Sequence, residues 1–273
     1  EFVETMTTSH YPGCKIFSAS ALRANLQNKH NIEGLRNSGV VGSILEGFRR
    51  IDLKIDYKTE HTRHLVESLH ILLKPDEEDQ FISEQTLTRF ISHPLGTKTV
   101  IRLIKGCQYR LQMLAFEILE WILAMPGATG SDELIKHHIM KILLTPTFLF
   151  KKTTYIDVRH KACKMMSSLA PLVPMEFNAK LMNDLLVDKD TGSRRVDGYM
   201  EMQLLSCFLC FMSWRERTKA GYLPFTMTII NHLISEVISE TFESLEHMQQ
   251  IMRIVVILSR DKKHAEYMWT HRL

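Results

Sequence analysis

The sequence lacks any apolar run of the roughly 18 to 20 residues that a helix needs to span a bilayer. Its most apolar stretches, 111–125 and 202–212, carry polar or charged residues within them. No signal peptide opens the chain. The chain does not begin with Met and ends just after a helical pattern, so we expect a fragment of a longer protein. These features predict an intracellular protein, cytoplasmic or nuclear, that does not bind or span a membrane.

Cysteine is scarce, and its number is odd. The five cysteines are scattered over 273 residues, which is a poor disulfide framework and is typical of a reducing compartment. Cys207 and Cys210 form a C-x-x-C pair. A zinc site would need a second ligand pair, and a redox motif would need an adjacent strand-helix unit. Neither is present, so we interpret the pair as part of a buried helix.

The chain also lacks a strong charge of one sign. Its net charge is +3, with 45% hydrophobic and 24% charged residues, which is typical of an ordered globular protein. A charge of this size falls short of what nucleic-acid binding alone would favour. Basic pairs do occur at Arg49-Arg50, Lys151-Lys152 and Arg194-Arg195. A nucleic-acid-binding module therefore stays open as an alternative.

Signatures of catalysis are missing. The sequence contains no G-x-S-x-G, no P-loop and no G-x-G-x-x-G. A Ser-His-Asp or Cys-His arrangement assembled only in the fold stays open. Five histidines have no spacing that completes a ligand set, and we interpret them as surface residues: His61, His64, His137, His138 and His160. We therefore assign no catalytic residue, no metal ligand and no cofactor, and expect no enzyme.

The chain instead shows repetition. Apolar residues recur at spacings of three and four, which predicts an all-α protein. One helix in each unit carries a dense apolar stripe, and equivalent positions follow one another at intervals of 47, 47, 50, 42 and 47 residues. HEAT and armadillo repeats have a period of about 40 to 47 residues. An irregular helical bundle is the alternative. The equivalent positions are Leu22, Leu69, Phe116, Met166, Phe208 and Val255.

The first unit resembles an armadillo repeat. Leu22 and Leu26 lie on one helix, and Ser38-Gly39 opens another. The end of the chain, 254–268, is similar, whereas the middle units lack the Ser-Gly start. The resemblance implies a right-handed α-solenoid of armadillo/HEAT-like helical repeats. We expect residues 1–15 to form a tail or irregular cap, and residues 16–273 to form a single repeat domain.

The resemblance also implies a non-catalytic scaffold that binds a partner protein as an extended peptide or a helix. In an armadillo repeat the third helix lines the concave face, here predicted within 39–48, 133–144 and 223–234. Besides nucleic-acid binding, an oligomerisation or assembly module is an alternative, suggested by 15 methionines; the oligomeric state stays open. The predicted groove residues are Arg49, Lys136, His137, Lys141 and Asn231.

Overall fold

The described part of the chain is entirely helical. The computed structural model describes residues 9–49, 51, 59–78, 80–106, 108–145, 155–177, 179–186, 196–218, 227–240, 242 and 244–270. No strand occurs among them, so the all-α prediction is confirmed. None of the described helices is both long and apolar enough to cross a bilayer. The chain divides into two compact units, Glu1–Ile139 and Met140–Leu273, called unit 1 and unit 2.

Unit 1 is built from triplets of helices. Helix α1 packs against α4, and α4 packs against α7. Helix α2 packs against α5 and α3 against α6, so each helix of the first triplet contacts its counterpart in the second. The helices are α1 (Pro12–Asn25), α2 (Lys29–Asn37), α3 (Val40–Arg49), α4 (Glu60–Leu73), α5 (Gln80–Ser92), α6 (Gly96–Gly106), α7 (Tyr109–Leu123) and α8 (Thr129–Lys136).

The positions predicted to be equivalent form the centre of this stack. Leu22 on α1, Leu69 on α4 and Phe116 on α7 are all buried. Because these helices pack one on the next, the stripe that repeats in the sequence becomes a continuous apolar layer. Helix α1 begins at Pro12, within the predicted tail, and residues 1–8 of that tail lie outside the described residues. The single domain over 16–273 stays a prediction.

The Ser-Gly start of α3 has a conformational cause. Gly39 has a φ of 76° in the left-handed region, which side chains with a Cβ rarely adopt. A Cβ at this position would meet no atom within 4 Å, so the backbone angle and not crowding requires glycine. The residue therefore lets the chain turn from α2 into α3 within a few residues.

Two arginines close the ends of helices in unit 1. Arg36 on α2 donates from Nε to the Leu72 carbonyl oxygen at 2.9 Å and from Nη2 to the Lys74 carbonyl oxygen at 2.6 Å. Arg102 on α6 likewise donates to the carbonyl oxygens of Phe48 and Ile51, at 3.3 and 2.7 Å. The last carbonyls of a helix have no partner within the helix. Each guanidinium thus joins two helices by donating to carbonyl oxygens in the last turn of a neighbouring helix and just beyond it.

The single helix predicted over 133–144 is interrupted. Helix α8 ends at Lys136, and a new short helix, α9 (Ile139–Leu143), begins three residues later. Between them His138 has a φ of 52°, and its N–H donates to the Ile135 carbonyl oxygen at 2.9 Å. A left-handed residue ends an α-helix, and histidine is among the residues that tolerate this conformation.

Unit 2 uses pairs of helices. Helix α10 packs against α12 and α12 against α14, while α11 packs against α13. The predicted positions Met166 and Phe208 are fully buried on α10 and α12. Val255 on α14 is only half-buried. The helices are α10 (Ile156–Leu169), a 3-10 turn (Pro174–Glu176), α11 (Ala179–Leu186), α12 (Gly198–Thr218), α13 (Met227–Ser239), α14 (Leu245–Leu258) and α15 (Lys262–Thr270).

Candidate functional site

The predicted groove residues of unit 1 make local contacts. Arg49 lies 3.6 Å from Glu46, one helical turn earlier on α3. The Glu133 carboxylate lies 3.2 Å from Lys136 Nζ and 2.8 Å from His137 Nε2. Side chains three or four residues apart on a helix are neighbours, so these pairs follow from sequence spacing alone.

Lys141 and Asn231 belong to unit 2. Lys141 Nζ lies 3.9 Å from Glu176 Oε1, and Asn231 Oδ1 accepts a hydrogen bond of 2.6 Å from the Tyr267 hydroxyl. The predicted set is thus divided between the two units, and its role in a groove stays a prediction. Several members of the predicted basic pairs lie outside the described residues: Arg50, Lys151, Lys152, Arg194 and Arg195.

A groove lies between α12 and α14 in unit 2. Its volume is about 410 Å³. Met252 and Val256 are 43% and 52% exposed in it, although both are apolar. We call it the α12–α14 groove. It is lined by Leu209, Ser213, Met252, Arg253, Val256, Ile257 and Arg260.

Helical spacing explains why these residues meet. Leu209 and Ser213 are four apart on α12, and Met252 and Val256 are four apart on α14, so each pair lies on one face of its helix. The opposite face of α14 is buried in unit 2 through Ile251, Ile254 and Leu258. Helix α14 therefore has apolar residues on two faces, and packing within unit 2 covers only one of them.

The charged residues that line the groove have one sign. Arg253 and Arg260 line it and are exposed, and none of its seven lining residues is acidic. The long stems of arginine can lie along apolar surface while the guanidinium stays in water. The groove thus combines an apolar floor with two cationic groups. The predicted groove helices did not include α14, because they were chosen as the third helix of each armadillo-like unit.

A second constellation is buried in unit 2. Glu201 on α12 meets His232 and Glu236 on α13, and one ligand atom from each lies within 4.8 Å of the other two. His232 Nε2 is 2.5 Å from Glu201 Oε1. His247 on α14 places Nε2 4.0 Å from Glu201 Oε2. We call Glu201, His232 and Glu236 the Glu201 cluster.

Burial distinguishes the Glu201 cluster from ordinary surface charge. Glu201 is 0% exposed, the His232 side chain 8% and Glu236 9%. Acidic residues are seldom buried this fully without a compensating group. None of the three was predicted as a metal ligand from the sequence. The available signals were the His232-x-x-x-Glu236 spacing, which puts both side chains on one helix face, and an acidic residue in the apolar first half of α12.

The histidines interpreted as surface residues are in several environments. His160 lies 2.8 Å from Asp197 Oδ2 and is partly exposed. His61 and His64 are half-buried on α4. Desolvation, reinforced by the neighbouring charge of Arg63, lowers the pKa of His64 from its ordinary value of 6.5. His64 is therefore held toward the neutral form.

Only one of the two cysteines in the C-x-x-C pair is a core residue. Cys207 is fully buried and Cys210 is half-buried, and neither is in a disulfide. Burial raises the pKa of Cys207 well above its ordinary value, and burial raises the pKa of the nearby Cys163 to about 12. Since only the thiolate is an effective nucleophile or metal ligand, these two thiols are chemically inert at neutral pH.

Comparisons with known proteins bear on the fold. No family model matches the chain, and no curated protein matches it. Among solved structures, the chain is similar to an engineered protein, Northeast Structural Genomics Consortium target OR329, with 13% identity, 92% of each chain covered and a TM-score of 0.52. A second engineered protein, target OR497, has 14% identity over 97% of this chain and 70% of that one, with a TM-score of 0.46. At 13% identity the first similarity concerns the fold alone.

Proposed function

We propose that this chain is a non-catalytic interaction module that binds an acidic, amphipathic segment of a partner protein in the α12–α14 groove. The observation that carries the proposal is the exposure of Met252 and Val256 in a groove that Arg253 and Arg260 also line. An exposed apolar surface rimmed by polar groups is typical of a protein-binding site. A groove between helices also suits a helix laid along it.

The groove defines the chemistry of its ligand. Apolar side chains at helical spacing would cover Met252 and Val256, and each 100 Å² of apolar surface removed from water contributes about 2.5 kcal/mol. Carboxylates on the flanks of the same segment would meet Arg253 and Arg260. Such complementary charges raise the association rate and select against basic segments.

We further propose that the module is a right-handed α-solenoid of armadillo/HEAT-like repeats in an intracellular protein. The serial packing of α1, α4 and α7 in unit 1, and of α10, α12 and α14 in unit 2, supports the repeat assignment. Solenoid repeats contact their sequence neighbours in this way. None of the four cysteines that the structure describes is in a disulfide, which supports a reducing compartment.

A displayed-peptide selection tests the binding proposal. A library of random 16-residue peptides is selected on the intact chain after nuclease treatment, and the enriched peptides are synthesised and their Kd measured. We expect enriched sequences with Leu, Met or Phe at i, i+3 and i+4 spacing and an excess of Asp and Glu. The double variant Arg253→Glu, Arg260→Glu is expected to weaken their binding at least 10-fold.

The matched control reverses two charges outside the groove. The variant Lys136→Glu, Lys141→Glu changes the net charge by the same amount and alters two of the residues that the sequence predicted to bind. We expect its Kd to stay within twofold of the unaltered chain. Loss of binding in this control with retention in the arginine variant would refute the α12–α14 groove and favour the groove predicted from sequence. Enrichment of basic peptides would refute the proposed ligand chemistry.

A further inference from the structure

We propose that unit 2 binds a zinc ion at the Glu201 cluster, with Glu201, His232 and Glu236 as protein ligands. Glu201 comes from α12, and His232 and Glu236 come from α13; among the described residues, no other group of three His, Cys, Asp or Glu side chains brings its ligand atoms this close together. Imidazole nitrogen and carboxylate oxygen are both ordinary ligands of Zn²⁺. The site is separate from the α12–α14 groove, none of whose lining residues belongs to it.

The geometry is close to that of a ligand set. In tetrahedral zinc sites the bonds are about 2.0 to 2.2 Å long, so ligand atoms stand about 3.3 Å apart. Here the ligand atoms lie within 4.8 Å of one another, and His232 Nε2 is 2.5 Å from Glu201 Oε1. Side-chain rotations that move these atoms by about 1 Å would bring them to zinc distances. The i, i+4 spacing of His232 and Glu236 already directs both side chains to the same side of α13.

Electrostatics favours a divalent cation at this place. Glu201 is fully buried, and Glu236 and the His232 side chain are nearly so. Ionised carboxylates in such surroundings are stabilised by a positive charge in direct contact. One divalent ion supplies two positive charges to Glu201 and Glu236 and at the same time accepts the lone pair of a neutral imidazole. A first-row ion that takes both nitrogen and oxygen ligands, as Zn²⁺ does, fits this set better than Ca²⁺ or Mg²⁺, which prefer oxygen alone.

His247 gives the site a fourth group from a third helix. Its Nε2 lies 4.0 Å from Glu201 Oε2, and its side chain is 0% exposed. At this distance it can complete the ligand set or hold the Glu201 carboxylate in place, as outer groups do in known metal sites. The ion would then join α12 and α13 directly and α14 through His247. We infer a structural role, because the ligands are buried and zinc bound only in the folded state stabilises that state.

Calorimetry and cobalt spectroscopy test the proposal. The intact chain is stripped of metal with a chelator, dialysed and titrated with ZnCl₂, and Co²⁺ serves as a coloured substitute for Zn²⁺. We expect one tight site per chain, a visible Co²⁺ absorption typical of tetrahedral nitrogen and oxygen ligands, and a rise of about 5 °C or more in Tm at 100 times Kd. Glu236→Gln, at the edge of the cluster, is expected to weaken zinc binding at least 10-fold.

The control variant is His160→Asn. His160 also touches a carboxylate, Asp197, in unit 2, but it is partly exposed and outside the cluster. We expect His160→Asn to leave Kd and the Tm rise unchanged. Circular dichroism checks that both variants fold. If Glu236→Gln does not fold, X-ray absorption of the one-to-one zinc complex of the unaltered chain tests the ligand set instead. Imidazole scattering together with oxygen ligands would support the site.

Four results would overturn the proposal, three of them from the binding measurements. These are the absence of a tight site in the unaltered chain, equal zinc affinity in Glu236→Gln and the unaltered chain, and loss of binding in His160→Asn. A zinc shell containing sulfur in the X-ray absorption spectrum would also overturn it, since it would place the ion on a cysteine instead.

Discussion

Replacing Arg36 by methionine should destabilise unit 1 far more than the same change at a surface arginine. The Arg36 side chain is 4% exposed, and its guanidinium donates to the carbonyl oxygens of Leu72 and Lys74 at the end of α4. Methionine keeps most of the apolar stem and removes every donor. The substitution therefore removes the guanidinium, together with its contact at 3.8 Å with Asp76, while it keeps most of the packing of the stem.

The structure gives the size of the effect. A hydrogen bond to a charged donor contributes about 1.5 to 3 kcal/mol, and a buried carbonyl left without its donor adds a desolvation cost. Two such bonds, offset by the favourable burial of the methionine, lead to a loss of about 3 kcal/mol in the free energy of unfolding. With a urea m-value of about 2 kcal/mol/M, the midpoint should fall by about 1.5 M.

Tryptophan fluorescence during urea unfolding measures this loss. Trp121 on α7 is in unit 1, whereas Trp214 and Trp269 are in unit 2, so both of the latter are replaced by phenylalanine in every chain compared. The control is Arg49→Met, whose side chain is 70% exposed and only 3.6 Å from Glu46. We expect the control to change the free energy of unfolding by less than about 0.5 kcal/mol. An equally small change for Arg36→Met would refute the capping role.

Two further predictions follow from the pKa shifts. Because folding lowers the pKa of His64 below 6.5, the unfolded state binds more protons than the folded state. The stability that neutral His64 contributes is therefore present above about pH 6.5 and is lost as the pH falls through the folded-state pKa. In urea unfolding between pH 5 and 7.5, the free energy of unfolding should fall less steeply with decreasing pH in His64→Gln, and an equal pH dependence in both chains would contradict the shift. With iodoacetamide at pH 7.5, exposed Cys14 should be alkylated quickly, whereas buried Cys163, with a pKa of about 12, should react only on unfolding. Mass spectrometry measures both rates, and equal rates would contradict the burial of Cys163.

The repeat positions could be predicted because they depend on local spacing. Leu69 and Phe116 are buried on helices that pack together, and the interval between them was readable from the chain alone. Gly39 was equally readable, since a left-handed turn has few residue choices. The break at His138 was not, because histidine is rarely required at such a position and the apolar spacing continues across it.

The Glu201 cluster and the α12–α14 groove depend on contacts between helices, which the spacing of residues along the sequence does not reveal. Glu201 and His232 are 31 residues apart and meet only because α12 and α13 come together in the fold. The α12–α14 groove likewise depends on which face of α14 is covered, and a helix with apolar residues on two faces does not reveal this. The predicted site residues were chosen from an expected third-helix position, and Lys136 and His137 in fact both contact Glu133 on their own helix.

Site-specific photo-crosslinking inside cells tests the central claim most directly. Benzoylphenylalanine replaces Val256 in the α12–α14 groove, and in a second chain it replaces Phe81, which is 74% exposed on α5 in unit 1. We predict a discrete crosslinked protein from position 256 whose peptide at the junction is acidic and amphipathic, and its loss when Arg253 and Arg260 are both changed to glutamate. A crosslink that is no stronger from position 256 than from position 81, or that survives the charge reversal, would contradict the account.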